Sequence, residues 1–497
     1  MKKILLLMPI YTTLVFIFIY ELNKYFDNDV FNMIATGNNI IKYGIPKYNP
    51  FFNIDKIPII IQQWGWCVLL AAIYNSSGFI GLYILNLLQI LLFTFTTYIL
   101  LKDYIPKKWC VIIGLFLPSL CFINNLRPEL ITIILIFWDI IIFEKYDKTN
   151  KPVFLLFLPI ITLLEMNLHG SIWAIHFGIL LVNIISKCFT AKEKIKKDCV
   201  IIAISVLLMI ASLWVNPYGT QGITYCINSL TCTMNLNIRE LCPPTVLSFI
   251  GIVSIILMIF SIFSLFYKGN KNKYEYKLQT FVYSFIISLI TFQIKRGIYF
   301  APLAIIYIIR WVKNIVNIER FNSQIFQCLK SNKAYKIISS IVIYIYCLIL
   351  LITLGINYKI PLYEKDVVNK DLYEIGKYLK QKEINTDPLI FTSFNYGNYL
   401  EFLGYKTFFD SRPEIFDTPL NEKYNFLQKY LSKNTYLKLY EKLTTAVNPK
   451  LVKDFFKYFE FDYIVTDDML LMTYFSANDN YKIVIENNLC LYEKIGS

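Results

Sequence analysis

The chain has 497 residues, 56% of them hydrophobic and only 17% charged, with a mean hydropathy of +0.49, a balance that excludes a soluble globule. Its formal charge of +14 does not imply nucleic acid, because the Lys residues gather in short loops between apolar runs, as membrane orientation demands. The eleven Cys are scattered and form no CxxC pair. Cys67, Cys110, Cys121 and Cys347 sit in or beside apolar runs and read as packing residues. Cys226, Cys232 and Cys242 share one loop, and no pairing among them can be deduced.

In chain order, the N-terminus MKKILLLMPIYTTLVFIFIY has the charged start of a signal peptide but a long apolar run and no small-residue cleavage site, and it reads as a retained anchor. Residues 22–77 follow as a first loop. Its stretch Tyr25–Phe52 carries Asp27 and Asp29, then a helix-like spacing of apolar residues from Val30 to Ile41, the pattern of a helix lying on a membrane surface. Gly44, Pro46 and Pro50 break it into a loop rich in Tyr and Phe, which suit a lipid–water interface. With roughly 20 residues needed per crossing, spans are expected at 4–21, 78–101, 109–125, 129–144, 152–168, 169–186, 199–215, 246–267, 278–294, 297–312 and 337–356. The short run 59–75, interrupted by Gln62, Gln63 and Trp64, is ambiguous by hydropathy. If it does not cross, every strongly basic short loop falls on the side of Lys2 and Lys3, the positive-inside pattern.

The expected architecture is therefore an α-helical polytopic membrane domain of about 11 spans over 1–356, with its N-terminus in the cytoplasm, followed by an extracytoplasmic domain over 357–497. In that tail, candidate strands Leu389–Ser393, Lys406–Asp410, Tyr463–Thr466 and Tyr481–Ile485 alternate with helical stretches near 370–382, 421–445 and 449–459, a small α/β pattern.

The same topology puts most of the unusual polar groups at the outer ends of spans. Asn124-Asn125-Leu126-Arg127-Pro128-Glu129, Asn167-Leu168-His169-Gly170, Asn216-Pro217-Tyr218-Gly219, Arg239-Glu240 and Lys295-Arg296 join Asp27 and Asp29 there. Together they offer carboxylates for proton transfer and cations for a phosphate. Each has a plainer reading. An Asp before an apolar run is a favoured N-cap; Arg-Pro-Glu is a turn with Pro at a helix start; His169 is a packing residue beside a small neighbour; Lys295-Arg296 anchors span ends among headgroups; and Asn-Pro-Tyr-Gly ends a helix. His176, deeper in its span, carries less weight than His169. Asp139 and Glu165 are the main charges near span interiors, fewer than an ion-coupled transporter usually carries.

The order of these motifs, from Asp29, Gly37 and YGIPKYNPFF through Gln63-Trp64, Arg127-Pro128, Asn167-Leu168-His169-Gly170 and Asn216-Pro217-Tyr218-Gly219 to Phe409-Asp410-Ser411-Arg412-Pro413-Glu414, resembles the GT-C superfamily of integral-membrane glycosyltransferases. Within it, the chain is similar to bacterial members that carry a C-terminal α/β domain. The resemblance implies an inverting enzyme of the bacterial cell membrane. Such an enzyme moves a sugar from a polyprenyl-phosphate or polyprenyl-diphosphate carrier to a glycan, lipid or protein acceptor of the cell envelope. It implies Asp29 as general base, with Asp27 the second candidate. Gln63, Trp64, Arg127, Glu129, Asn167, His169, Arg239, Glu240, Lys295 and Arg296 would bind substrate, and Asp410, Arg412 and Glu414 would act from the outer domain. Many members have an acidic residue or His where this chain has Gln63. A divalent metal, Mg or Mn, is compatible with Asp27 and Asp29 but is not decided by the resemblance, since two carboxylates need further oxygen ligands. The alternative is a non-catalytic protein that binds or translocates a lipid-linked glycan, using the cations without a base; a scaffold for envelope assembly is a third reading.

Overall fold

The computed structural model describes residues 27–52, 58–123, 125–190, 192–230, 240, 242–266, 274–315, 363–382, 388–392, 396–408, 410, 456–457 and 461–496. These residues fall into two compact units, one drawn from Tyr83–Val215 and Glu240–Pro361, the other from Tyr25–Leu82, Asn216–Arg239 and Leu362–Ser497. The division does not follow the chain: the first loop packs with the C-terminal segment. The expected spans 4–21 and 337–356, and the helical stretch 421–445, lie outside the described residues.

The mixed unit begins with α1 (Asn28–Tyr43) and α2 (Trp64–Leu101), whose N-terminal part belongs here. Asp27 starts α1 by accepting the N–H of Asp29 at 3.1 Å. Gly44, at φ 81°, stops it and returns its own N–H to Ile40. The apolar spacing suggests a surface helix, yet Val30 to Gly37 are buried without a break. The reason is that α1 is covered on more than one side. Gly37 lies so close to α2 that an added Cβ would sit 2.0 Å from the Cys67 carbonyl oxygen. Phe31 packs edge-on against Tyr399 and Phe402, 5.5 and 5.3 Å between ring centroids. Those rings belong to the short helix α14 (Gly397–Phe402), numbered after α3 (Lys107–Leu120) to α13 (Lys370–Gln381). Phe51 and Phe52 are buried, Phe52 against Phe408, whereas Tyr43 and Tyr48 remain exposed.

The C-terminal segment forms a four-stranded sheet in the order β1-β2-β4-β3, from β1 (Ile390–Phe391), β2 (Tyr463–Thr466), β3 (Tyr481–Ile485) and β4 (Cys490–Lys494). β1 pairs parallel to β2, and the other pairings are antiparallel. Asn369 caps α13 by accepting from the N–H groups of Asp371 and Leu372. Among the described residues of 406–410 an isolated bridge joins Thr407 to Ile390 in place of the expected strand, and β4 lies outside the strands expected from sequence.

The other unit is a helical bundle. It comprises the rest of α2, α3, α4 (Glu129–Thr149), α5 (Leu158–Leu168), α6 (Ala174–Thr190), α7 (Lys192–Ser212), α9 (Phe249–Phe266), α10 (Tyr274–Gln293) and α11 (Ala301–Ile315); α8 (Thr220–Leu230) falls in the mixed unit. α9 and α10 approach closely because small residues line the contact: Ser254 and Ser288 each donate to the other's carbonyl, at 3.0 and 2.8 Å. Three helical segments among the described residues are long and apolar enough to cross a membrane: Trp64–Leu101, Gly170–Phe189 and Phe249–Phe266. These features are compatible with a helical membrane protein that carries a small C-terminal sheet.

The closeness at Gly37 gives the first prediction. Gly37→Ala should destabilise the protein by roughly 1–3 kcal/mol, because the added methyl meets backbone that cannot give way. Thermal unfolding of the purified chain should show a midpoint lowered by several degrees; an unchanged midpoint would mean that α1 and α2 do not pack as described.

Candidate functional site

In the bundle, the loop between α3 and α4 holds Arg127. Its backbone is strained: Phe122 and Leu126 adopt φ of 58° and 60°, a region that bulky side chains rarely occupy and that costs of order 1–3 kcal/mol each. That loop delivers a buried guanidinium, with Arg127 only 7% exposed. Arg127 Nη1 lies 3.5 Å from Glu240 Oε2. The same carboxylate oxygen accepts from Arg296 Nε at 2.9 Å and lies 2.8 Å from Arg296 Nη2. Backbone bonds fix the two segments together, since the N–H of Arg296 donates to the Glu240 carbonyl and that of Lys295 to the Cys242 carbonyl. Glu129 adds a second carboxylate within electrostatic reach of Arg296, and its Oε2 is buried with no hydrogen-bond partner among the described residues. Burial pushes the Glu240 carboxyl up, but Arg296 and then Arg127 outweigh it and hold the group below its usual 4.5. Burial and Arg127 lower Arg296, yet Glu129 and Glu240 outweigh them, so the guanidinium is held more firmly charged than usual.

One helical turn into α4, Thr132 Oγ1 donates to Glu165 Oε1 at 2.7 Å and lies 2.8 Å from His169 Nδ1. Deeper, His176 Nδ1 sits 2.5 Å from Asp139 Oδ2, and His176 Nε2 faces Glu165 Oε2 at 3.6 Å. Asn167 donates to the carbonyls of Leu163 and Val215, which ties the end of α5 to the end of the segment after α7. A further charged cluster lies near the C-terminal end of α4, where Arg310 pairs with Glu144 and donates to the Leu100 carbonyl, and Lys187 pairs with Asp147.

In the mixed unit, the Asp29 carboxylate accepts from Asn398 Nδ2 at 3.3 Å. One turn along each helix, Asn32 Nδ2 donates to Glu401 Oε2 at 2.6 Å, and Thr407 Oγ1 donates to Glu401 Oε1 at 2.9 Å. Asp27 serves as the cap of α1. Gln63 and Trp64 lie half-buried at the start of α2, where the Gln63 carbonyl accepts from the Cys67 N–H. Asn216 makes a side-chain turn, accepting from Tyr218 N–H and donating to the Gly219 carbonyl, which shapes the entry to α8. Asp410 is buried; Arg239, Arg412 and Glu414 lie outside the described residues.

The structure thus brings Arg127, Glu129, Glu240 and Arg296 into one cluster, and His169 into another with Thr132, Glu165, His176 and Asp139. Asp139 and His176 pair 37 residues apart, the same separation as Thr132 and His169, because α4 and the segment 169–176 lie side by side and run in the same direction. The spacing of seven within each pair, 132 with 139 and 169 with 176, was the available signal. Glu401 and Asn32 carried no signal, since nothing in either local sequence announces the other. Among the described residues no group of three or more His, Cys, Asp or Glu has an arrangement that could hold a metal ion.

The acid range tests the Glu240 ion pairs. A carboxyl held below its unfolded value adds stability that is present above that value and disappears as pH falls through the depressed folded one. The thermal midpoint of the native chain should therefore converge on that of Glu240→Gln as pH drops from neutral to below 4.5. A gap that persists in acid would contradict the pairing.

No protein-family model matches the chain, and no curated protein matches it significantly.

Proposed function

We propose that this chain is a membrane glycosyltransferase of GT-C type, which moves a sugar from a polyprenyl-phosphate or polyprenyl-diphosphate carrier to a cell-envelope acceptor on the outer face of the membrane. The observation that carries the reading is the convergence of Arg127, Glu129, Glu240 and Arg296, brought together across 113 and 56 residues of sequence. Two guanidiniums held at a loop-rich end of an apolar bundle are what a lipid phosphate needs. The cluster is formally neutral as it stands, and Glu240, 47% exposed, is the partner that an arriving phosphate would displace. Lys295, adjacent in sequence, supplies a further positive charge.

The eleven-span topology belongs to the same proposal. α2 spans 38 residues, about 57 Å at helical rise, far more than a bilayer core of about 30 Å. The break at Gly78 (φ 59°, ψ −151°) leaves a distal part long enough to cross and a proximal part too short, which supports 59–75 as a non-crossing run. Asp29 is the residue to which the reading assigns base chemistry. Its carboxylate is oriented by Asn398, so one lone-pair direction is fixed. His169 and Glu129 would orient the donor headgroup or pass a proton. A divalent metal, where one is used, would be held by Asp27 and Asp29, and Asp27 also caps α1.

One observation favours the non-catalytic alternative, a binder or translocator of lipid-linked glycan: Asp139, His176 and Glu165 cluster in the bundle interior, where transport proteins keep ionisable groups. A transfer assay separates the two. Purified chain in proteoliposomes, offered a panel of polyprenyl-linked sugars and envelope acceptors, should transfer sugar. Asp29→Asn should lower the rate by roughly 10²–10⁴-fold with carrier binding retained. Transfer by that variant at the native rate would remove the base assignment, and carrier binding without transfer by the native chain would favour the alternative.

A further inference from the structure

In the bundle interior His176, Asp139 and Glu165 lie together away from solvent: their side chains are 0%, 1% and 0% exposed. Fully ionised they sum to one net negative charge, which an apolar interior disfavours. Asp139 Oδ1, Glu165 Oε2 and His176 Nε2 have no hydrogen-bond partner among the described residues. Such a set is short of one proton.

A route for that proton is built in. His169 is the one histidine of this group with solvent access, its side chain 12% exposed, and its Nδ1 touches Thr132 Oγ1, which in turn touches Glu165 Oε1. A hydroxyl has one hydrogen and can also accept, so this three-member chain is satisfied in either polarity. With Glu165 ionised, His169 Nδ1–H donates to Thr132, and Thr132 donates to Glu165. With Glu165 protonated, Glu165 donates to Thr132, and Thr132 donates to His169 Nδ1.

We propose that His169, Thr132 and Glu165 form a proton relay that loads and unloads the buried Glu165–His176–Asp139 site with one proton from solvent. The step balances. A proton from hydronium binds His169 Nε2, the Nδ1 proton passes to Thr132 Oγ1, and the Thr132 proton passes to Glu165 Oε1. Glu165 then becomes neutral beside the ionised Asp139 and His176 pair, and the buried group loses its net charge. The groups that face the site are Thr132 and Asp139 from α4, Glu165 from α5, His176 from α6 and the Tyr283 hydroxyl from α10, which interacts electrostatically with Asp139. The relay does not depend on the sugar-transfer reading and serves a transferase or a translocator alike.

The chain contains two histidines in all, which makes the test direct. Full-length protein labelled with ¹⁵N at histidine and placed in nanodiscs gives separate imidazole signals, assigned with His169→Gln. Over the pH range in which the protein stays folded, the His176 signals should shift through one step, and Glu165→Gln should remove that step and hold His176 at its proton-loaded position. Thr132→Val should slow proton exchange at His176, read by relaxation dispersion, about a hundredfold, and Thr132→Ser should restore it. His176 signals flat across the range, a step that survives Glu165→Gln, or native exchange in Thr132→Val would each overturn the relay. Should Thr132→Val fail to fold, the Glu165→Gln titration decides alone.

Discussion

Two arginines on one carboxylate oxygen are the contact on which the candidate site in the bundle depends. Glu240 draws Arg296 and Arg127 to the same Oε2 and binds the segment at 240–242 to the one at 295–296 through backbone as well as side chains. A guanidinium close to an apolar bundle requires a partner, because its charge cannot be shed at any ordinary pH. Glu240 meets that requirement while remaining partly exposed, and the pairing is a structural tie. The strained Leu126 beside Arg127 fits the same picture, since backbone energy is being spent to aim one side chain.

The bundle obeys the same constraint along its length. Near the C-terminal end of α4 the charges are tied off as Arg310 with Glu144 and Lys187 with Asp147. Midway, Asp139 and His176 neutralise each other, while Glu165 is left to share a hydroxyl with His169. The mixed unit handles polarity differently. There, Asp29 and Asn32 on one helix meet Asn398 and Glu401 on another, two rungs of one ladder, and Phe31 closes the apolar side of the contact.

Much of this was legible in the chain because it follows from local rules. An N-cap is legible at Asp27 or Asp29, and Asp27 is the one that caps; β2 and β3 keep the bounds expected from their short runs of β-branched and aromatic residues. Arg127, Glu129, Glu240 and Arg296 stood out because charges are rare in so apolar a sequence. What was hidden depends on long-range packing. α1 resembles a surface helix from its spacing alone, and only the C-terminal segment, more than 350 residues away, explains why its polar face is covered. β4 is less legible because Glu493 and Lys494 cut its apolar run short; that carboxylate is held by Lys382, Lys482, Tyr378 and Tyr463. His176 looked like the lesser histidine because its partner, Asp139, is found only once α4 and the segment 169–176 are seen to run parallel.

We propose that Arg127 and Arg296, which both pair with Glu240, are the phosphate-binding pair. The most direct test is the equilibrium binding of a polyprenyl monophosphate, without sugar, to the purified full-length chain and to its Glu240→Gln variant. Removing the competing charge should tighten binding by about tenfold, the equivalent of about 1.4 kcal/mol, and that gain should vanish when Arg296→Ala is added. Equal affinity in the native chain and the Glu240→Gln variant, or a gain that persists without Arg296, would contradict the account.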